Sequence, residues 1–265
     1  MDHFDDFKAA QKKSWAHFAP LEVFTTAVAA RLVSHAKVQP GQRVLDVACG
    51  TGVVAVTAAR RGATATGLDL TPQLLERARE NAEIAGVAIP WHDGDAENLP
   101  FDDASFDVVL SQFGHIFAPR PAVALAEMLR VLKPGGTIAF ATWPPELFMG
   151  RMFAITARYA PPPPPGVAPP SQWGDPTIVT ERLGAAVTDL LFDRGTMSVP
   201  TLSPQHFRAN LERTAGPLIK LVETLAANDP QKLAQFRREY ETLVAEYYAD
   251  NLVRQDYLLT RAKKV

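Results

Sequence analysis

Cysteine is almost missing from this chain: Cys49 stands alone, so no disulfide can form within it, which fits a reducing compartment such as the cytoplasm. No apolar run approaches the roughly 20 residues that a membrane-spanning helix needs. Asp2, Asp5, Asp6, Lys8, Lys12 and Lys13 stand where a signal peptide would carry its apolar core. A basic surplus is missing as well: the net charge is −2, whereas nucleic-acid binders carry clustered positive charge. The histidines (His3, His17, His35, His92, His115 and His206) are scattered, with no HxxxH or Cys/His spacing, so no metal site is expected. These absences point to a cytoplasmic protein whose partner is a small molecule, with no nucleic acid and no membrane span.

What the chain does have is a regular alternation of short apolar runs with amphipathic stretches. Residues 1–37 read as helical until Gln39-Pro40-Gly41 breaks the pattern. Residues 43–47 form a continuous apolar run of the kind that a parallel strand buries on both faces. A Gly-rich loop and a helix over 53–60 follow, then a second strand at 64–68. Thr71-Pro72 opens the next helix, with Thr71 as expected N-cap, and Gly86 ends it. Further strands are expected at 88–92, 106–110 and 137–142, with a helix over 121–132. Strands alternating with helices in this way predict a doubly wound α/β sheet, whose ligands sit beyond the carboxyl ends of the strands.

Beyond residue 142 the texture changes. Pro161 to Pro165 is an unbroken proline run, read as a stiff extended loop. Asp175-Pro176 starts a helix, 188–193 reads as a sixth strand, 204–249 as helical, and 255–263 as a final strand.

The loop at 46–52 decides the chemistry. Gly50-Thr51-Gly52-Val53-Val54-Ala55 satisfies the dinucleotide pattern GxGxx(G/A), and Asp69 lies near the distance expected of a ribose-binding acid, so an NAD-dependent oxidoreductase is one reading. Against it, Asp46 directly precedes the loop and would repel a pyrophosphate, and the loop holds no Lys or Arg to neutralise one. Acids at three successive strand ends (Asp46, Asp69 and Asp95) suit a cation that carries a ribose and an adenine.

Val44-Leu45-Asp46-Val47-Ala48-Cys49-Gly50-Thr51-Gly52 resembles the first motif of class I S-adenosylmethionine (SAM)-dependent methyltransferases. Gly67-Leu68-Asp69-Leu70 resembles the second, and Gly94-Asp95-Ala96-Glu97-Asn98-Leu99-Pro100-Phe101 with Ser105-Phe106-Asp107-Val108-Val109 the third. Leu129-Arg130-Val131-Leu132-Lys133-Pro134-Gly135-Gly136 is similar to the turn before strand five. Order and spacing match the ubiquinone/menaquinone-biosynthesis-type branch, over residues 40–143.

The resemblance implies a Rossmann-like, doubly wound seven-stranded sheet with its last strand antiparallel, plus helical lid elements. It implies SAM as methyl donor and S-adenosylhomocysteine as product. Asp69, with Leu70 beside it, would take the ribose hydroxyls; Asp95 and the Ala96 backbone would take the adenine. Ala48, Gly50, Thr51 and Gly52 would pass the methionine portion, with Asp46 near its amino group and Ser111 beside its carboxylate or sulfonium. Ala48 departs from the glycine usual at its position. Cys49 reads as packing rather than nucleophile.

On the acceptor side, His115 is the candidate general base, and Trp15, Phe18, His115 and Trp143 are candidate lining residues. His206 and Arg208 could reach an anionic acceptor. The expected organisation is a helical cap at 1–37, a SAM-binding core at 38–196 with a Pro-rich loop at 160–176, a helical acceptor cover at 197–252, and a final core strand at 253–265. The expected reaction is methyl transfer to an O, N or C atom of a small molecule, with a SAM-binding protein that performs no transfer as a further reading.

Overall fold

The computed structural model describes residues 4–265, so His3 and the first residues of the expected cap lie outside the described residues. Two helices, α1 (Asp5–Trp15) and α2 (Glu22–His35), lead into β1 (Arg43–Val47). Then come α3 (Val53–Arg60), β2 (Thr64–Asp69), α4 (Pro72–Ile84), β3 (Trp91–Asp93), β4 (Phe106–Gln112), α5 (Pro121–Val131) and β5 (Leu132–Thr142). The second half adds α6 (Phe148–Tyr159), α7 (Pro176–Leu183), β6 (Val187–Pro200), α8 (Pro204–Thr214), α9 (Gly216–Asn228), α10 (Pro230–Glu246), β7 (Tyr248–Ala249) and β8 (Leu252–Lys264). Among the described residues no helix is long and apolar enough to cross a membrane.

The sheet order is β3-β2-β1-β4-β5-β8-β6, with the two-residue β7 pairing off the path with β8. β3, β2, β1, β4 and β5 are parallel neighbours, and β8 runs antiparallel to both β5 and β6. The seven-stranded Rossmann-like sheet with an antiparallel last strand is therefore present. Val44, Leu45, Val47, Val108, Val109, Leu110, Ile138 and Phe140 are buried, as helices on both faces require of central parallel strands.

Several boundaries move, each for a local reason. β3 begins at Trp91, because Pro90 has no N–H; its carbonyl instead accepts from the Gly67 N–H at 3.0 Å. β5 begins five residues before the expected start, and Lys133 to Gly136 bulge out of register between the Phe106–Leu132 and Val108–Thr137 pairs. Thr71 does not cap α4 with its side chain. Its own N–H donates to Asp69 Oδ1 at 2.8 Å. The stretch expected to be helical through 249 ends at Glu246. Asp250 and Asn251, at φ 50° and 61°, then make a tight turn of the primed kind between β7 and β8.

The largest difference lies in β6 and β8. β5 pairs with β8 only as far as Thr142↔Leu258, but β6 and β8 continue together to Pro200↔Leu252. This hairpin rises past the carboxyl edge of the sheet. Buried Gly195, Met197 and Val199 alternate with exposed Thr196, Ser198 and Pro200 along it, a period-two signal that the sequence does carry.

Above that edge, α8, α9 and α10 pack on one another and on α6. Asp229 caps α10 by accepting from Lys232 N–H at 2.9 Å, and Ser203 caps α8 from His206 N–H at 3.1 Å. α9 meets the end of α1 backbone to backbone: a Cβ on Gly216 would stand 1.8 Å from the Ser14 carbonyl oxygen.

Candidate active site

A cavity of about 290 Å³ opens at the carboxyl ends of β1, β2, β4 and β5, bordered there by Asp46, Asp69, Gln112 and Trp143. It has two unlike halves. The loop half is formed by the turn after β1 and by the ends of β2 and β3; the lid half is formed by α6, α8, α9 and the raised β6–β8 hairpin.

In the loop half, Ala48, Gly50 and Gly52 take φ of 53°, 54° and 79°. A chain that visits left-handed conformations this often aims successive N–H groups to one side. Ala48 holds such a conformation although it bears a Cβ, and Gly114 makes the room, since a Cβ there would stand 2.6 Å from that of Ala48. Gly52 does not border the cavity. Its bare Cα faces Trp91, whose ring would meet a Cβ at 2.5 Å. Gly52 thus serves the packing of loop on sheet, while Ala48, Gly50 and Thr51 line the cavity.

Asp46 is 1% exposed. Its Oδ2 accepts from the Ala55 N–H at 3.0 Å, and its Oδ1 is buried without a partner. Burial pushes its carboxyl well above the usual range, and the neighbouring Asp69 adds to the rise. Asp69 accepts from Gly50 N–H at 2.7 Å and from Thr71 N–H at 2.8 Å, so it ties the loop to the start of α4. Burial raises its carboxyl too, against the pull of those two N–H groups. Cys49 is buried, and burial beside Asp46 and Asp69 raises its thiol. A thiol held protonated in this way is a packing group.

Asp95, Ala96 and Leu70 also border the cavity. Asp95 accepts from Glu97 N–H at 2.9 Å and pairs with Lys8 of α1 at 2.6 Å, while Lys8 also pairs with Glu97 at 2.6 Å. Those ion pairs, with Gln11 donating to the Phe117 carbonyl at 2.9 Å, fasten α1 across the mouth. Sequence reasoning missed Lys8 and Gln11, which carry no motif.

Two expected site residues are displaced. Ser111 is fully buried and does not border the cavity. Its hydroxyl donates to the Val47 carbonyl at 2.7 Å and accepts from His115 N–H at 3.3 Å, so it clamps β4 to β1. The next residue, Gln112, reaches the cavity instead, because successive strand side chains point to opposite faces. His115 is 1% exposed and packs between Phe140 and Trp173, at centroid distances of 4.9 and 4.7 Å. Neither ring nitrogen has a partner, and burial, aided by Arg182, lowers its pKa to about 3. It does not face the cavity, which removes it as a base.

Trp15, Phe18 and Trp143 do line the cavity. Trp143 stacks on Phe113 at 3.9 Å, and Trp15 leans on Phe117 at 4.5 Å. The rest of the lid half went unnoticed in the sequence. Met149, Met152 and Phe153 come from α6, Phe207 and Leu211 from α8, and Gln255 from β8. The helical spacing of Met149, Met152 and Phe153 directly after strand five was the available signal. His206 and Arg208 turn elsewhere: the His206 ring bonds Thr201 Oγ1 at 2.8 Å, and Arg208 pairs with Glu241 and Glu212 at 2.6 and 2.7 Å.

Comparison with known proteins bears on what this site holds. The family described as Methyltransferase domain matches residues 45–140. The uncharacterized protein Rv1405c of Mycobacterium tuberculosis is 37% identical over 234 residues, spanning 88% of this chain and 85% of its own. The chain carries a methyltransferase domain. A shorter similarity joins this methyltransferase to the ubiquinone/menaquinone biosynthesis C-methyltransferase UbiE of Ruegeria: 46% identity over 104 residues, 38% of this chain and 42% of that one. In fold it is similar to the crystal structure of BH2331 from Bacillus halodurans, with a TM-score of 0.59 at 23% identity, covering 89% of this methyltransferase and 98% of that chain.

SAM is the cofactor that the motif resemblance implies, and the loop half fits it. Two buried carboxylates, one with an oxygen lacking any partner, border a cavity whose one lysine among the described residues, Lys8, is already paired. That arrangement is costly without a cation to face it, and SAM brings an ammonium and a sulfonium.

Proposed function

We propose that this protein transfers the methyl group of SAM to a small-molecule acceptor held in the lid half of the cavity. The observation that carries the reading is that one cavity joins an acid-lined Gly-rich loop to an apolar chamber. Asp69 holds the ribose hydroxyls with Leu70 beside them, Asp95 and the Ala96 N–H hold the adenine, and Asp46 Oδ1 meets the amino group. Ala48, Gly50 and Thr51 follow the methionine portion. Bound there, SAM supplies an electrophilic methyl group on a positively charged sulfur. The chain's own residues align the acceptor and exclude water, which in-line displacement chiefly requires.

The expected division of labour follows: the segment up to residue 37 caps the donor and the helices within 197–252 cover the acceptor. A cytoplasmic setting fits the single buried thiol. Calorimetry tests the donor reading. S-adenosylhomocysteine is expected to bind one to one and NADH not at all; NADH binding without S-adenosylhomocysteine binding would refute it. Methyl-labelled SAM, incubated with candidate acceptors, then reports transfer.

A further inference from the structure

Among the described residues, the lid half contains no side chain that ionises. Its walls include Met149, Met152 and Phe153 of α6, Met197 and Val199 of β6, and Phe207 of α8. The titratable residues bordering the whole cavity are Lys8, Asp46, Cys49, Asp69 and Asp95, and all of them belong to the loop half or to α1 above it. Lys8 is held by Asp95 and Glu97, Arg208 by Glu212 and Glu241, and the His115 ring is enclosed by Phe140 and Trp173. A carboxylate or phosphate acceptor would meet no uncommitted cation in this chamber. An ammonium would meet no carboxylate except those that face the donor's own charge. Either would be desolvated without compensation.

Of the polar side chains there, Gln11 at the mouth donates to the Phe117 carbonyl and Thr156 of α6 to the Met152 carbonyl, and two further carboxamides stand deeper in the cavity wall. Gln112 donates from Nε2 to the Thr25 carbonyl at 3.0 Å, and its Oε1 is buried without a partner. Gln255, 5% exposed, borders the cavity and makes no side-chain hydrogen bond among the described residues. A buried carboxamide oxygen without a donor calls for an O–H or N–H from the ligand. A thiol is too weak a donor to meet that need. An aliphatic alcohol would need a base, and none borders the chamber. An aliphatic amine enters as an ammonium. An aromatic hydroxyl meets each condition: it donates to an amide oxygen, ionises by its own acidity, and presents a flat apolar body to the stacked pair Phe113 and Trp143.

Building on the methyl-transfer reading, we infer that the acceptor is an apolar phenol without a fixed charge, held at its hydroxyl by Gln112 and Gln255 and deprotonated without a base from the chain. The phenol enters uncharged and ionises only beside the donor's sulfonium, its proton leaving to solvent through the cavity mouth. An oxygen electron pair forms the new O–C bond, and the S–C bond breaks with its electrons on sulfur, leaving a neutral thioether and an aryl methyl ether.

The test titrates the full-length protein, with and without S-adenosylhomocysteine, with three isosteres: 4-phenylphenol, biphenyl-4-carboxylate and 4-phenylbenzylamine. The phenol is expected to bind at least roughly tenfold tighter than either charged isostere. Gln255→Leu is expected to weaken phenol binding by about tenfold, the loss of one buried hydrogen bond, with S-adenosylhomocysteine affinity unchanged. Equal or tighter binding of a charged isostere, or no binding by any of the three, would overturn the assignment. Failure of S-adenosylhomocysteine to bind would instead sink the methyl-transfer reading, and the titrations without it would still decide the acceptor class. With SAM present, the pH midpoint of the rate should follow the acidity of the phenol when 4-phenylphenol is replaced by its more acidic 3-nitro derivative. Coincident midpoints would reveal a protein base and overturn the proposal.

Discussion

The two halves of the cavity differ in how far their residues travel to meet. Asp46, Gly50 and Asp69 come from β1, the turn that follows it, and the strand beside it, and the two carboxylates already accept from backbone N–H groups of Gly50, Ala55 and Thr71 close by in the chain. Met152, Met197, Phe207 and Gln255 come from α6, β6, α8 and β8, elements that touch only because the chain returns over the sheet edge. A half built from local backbone geometry admits few side chains, so its ligand chemistry is constrained. A half built from packed side chains needs only apolar volume, and it tolerates exchange of one apolar residue for another.

That contrast can be broken by mutation. The largest effect is expected from Asp69→Ala, which removes both the ligand contact and the tie between Gly50 and Thr71. S-adenosylhomocysteine affinity should fall roughly a hundredfold, as expected for charge-assisted hydrogen bonds; unchanged affinity by calorimetry would show that the ribose lies elsewhere. Phe207→Ala should do the reverse, raising the acceptor KM about tenfold while leaving S-adenosylhomocysteine affinity within about twofold. A donor affinity that falls with the acceptor's would mean that the two halves are one cooperative unit.

Asp46→Asn sharpens the comparison from the side of stability. Folding raises the Asp46 carboxyl above its unfolded value. Its charge therefore costs stability at neutral pH, and that cost is relieved as the pH falls through the raised pKa. The neutral amide keeps an acceptor for the Ala55 N–H. The melting temperature of the ligand-free protein should rise by about 2–4 °C, and SAM affinity should drop severalfold. A lower melting temperature would contradict the account.

The smallest effect on activity is expected from His115→Phe, with kcat unchanged within about twofold. Its signature is thermodynamic. The folded imidazole protonates only near pH 3 whereas its ordinary value is 6.5. Stability from the neutral ring is thus complete above pH 6.5 and is lost as pH falls from there towards 3, about 1 kcal/mol by one unit below 6.5. Denaturant melts of the Phe variant should lack that part of the acid slope; an abolished kcat would return His115 to the site.

Much of the loop half was legible because its requirements are local. The alternation of apolar runs located β1, β2 and β4 to within a residue or two, and the acids at the strand ends picked out the cavity-facing carboxylates. The errors there concern one face against the other. Ser111 and Gln112 are adjacent, and only the pleat decides which of them sees the ligand. Gly52 is dictated by the Trp91 ring, a contact between the loop after β1 and the distant strand β3. In the lid half the helical stretch at 204–249 was legible, but the individual lining residues were not. His115 looked like a base because imidazole titrates near neutrality, and nothing in its neighbours along the chain announced Phe140 and Trp173.

Sequence alone determined the order of strands and helices from β1 to β5, the Gly-rich turn and the acids around the donor, because hydrophobic period and backbone conformation are properties of neighbouring residues. The tertiary structure alone decided which polar groups are left without partners, that the β6–β8 hairpin rises over the sheet edge, and that the chamber beneath the lid is closed to charge. Those depend on desolvation, which is set by whatever the fold brings alongside a group rather than by what precedes it in the chain.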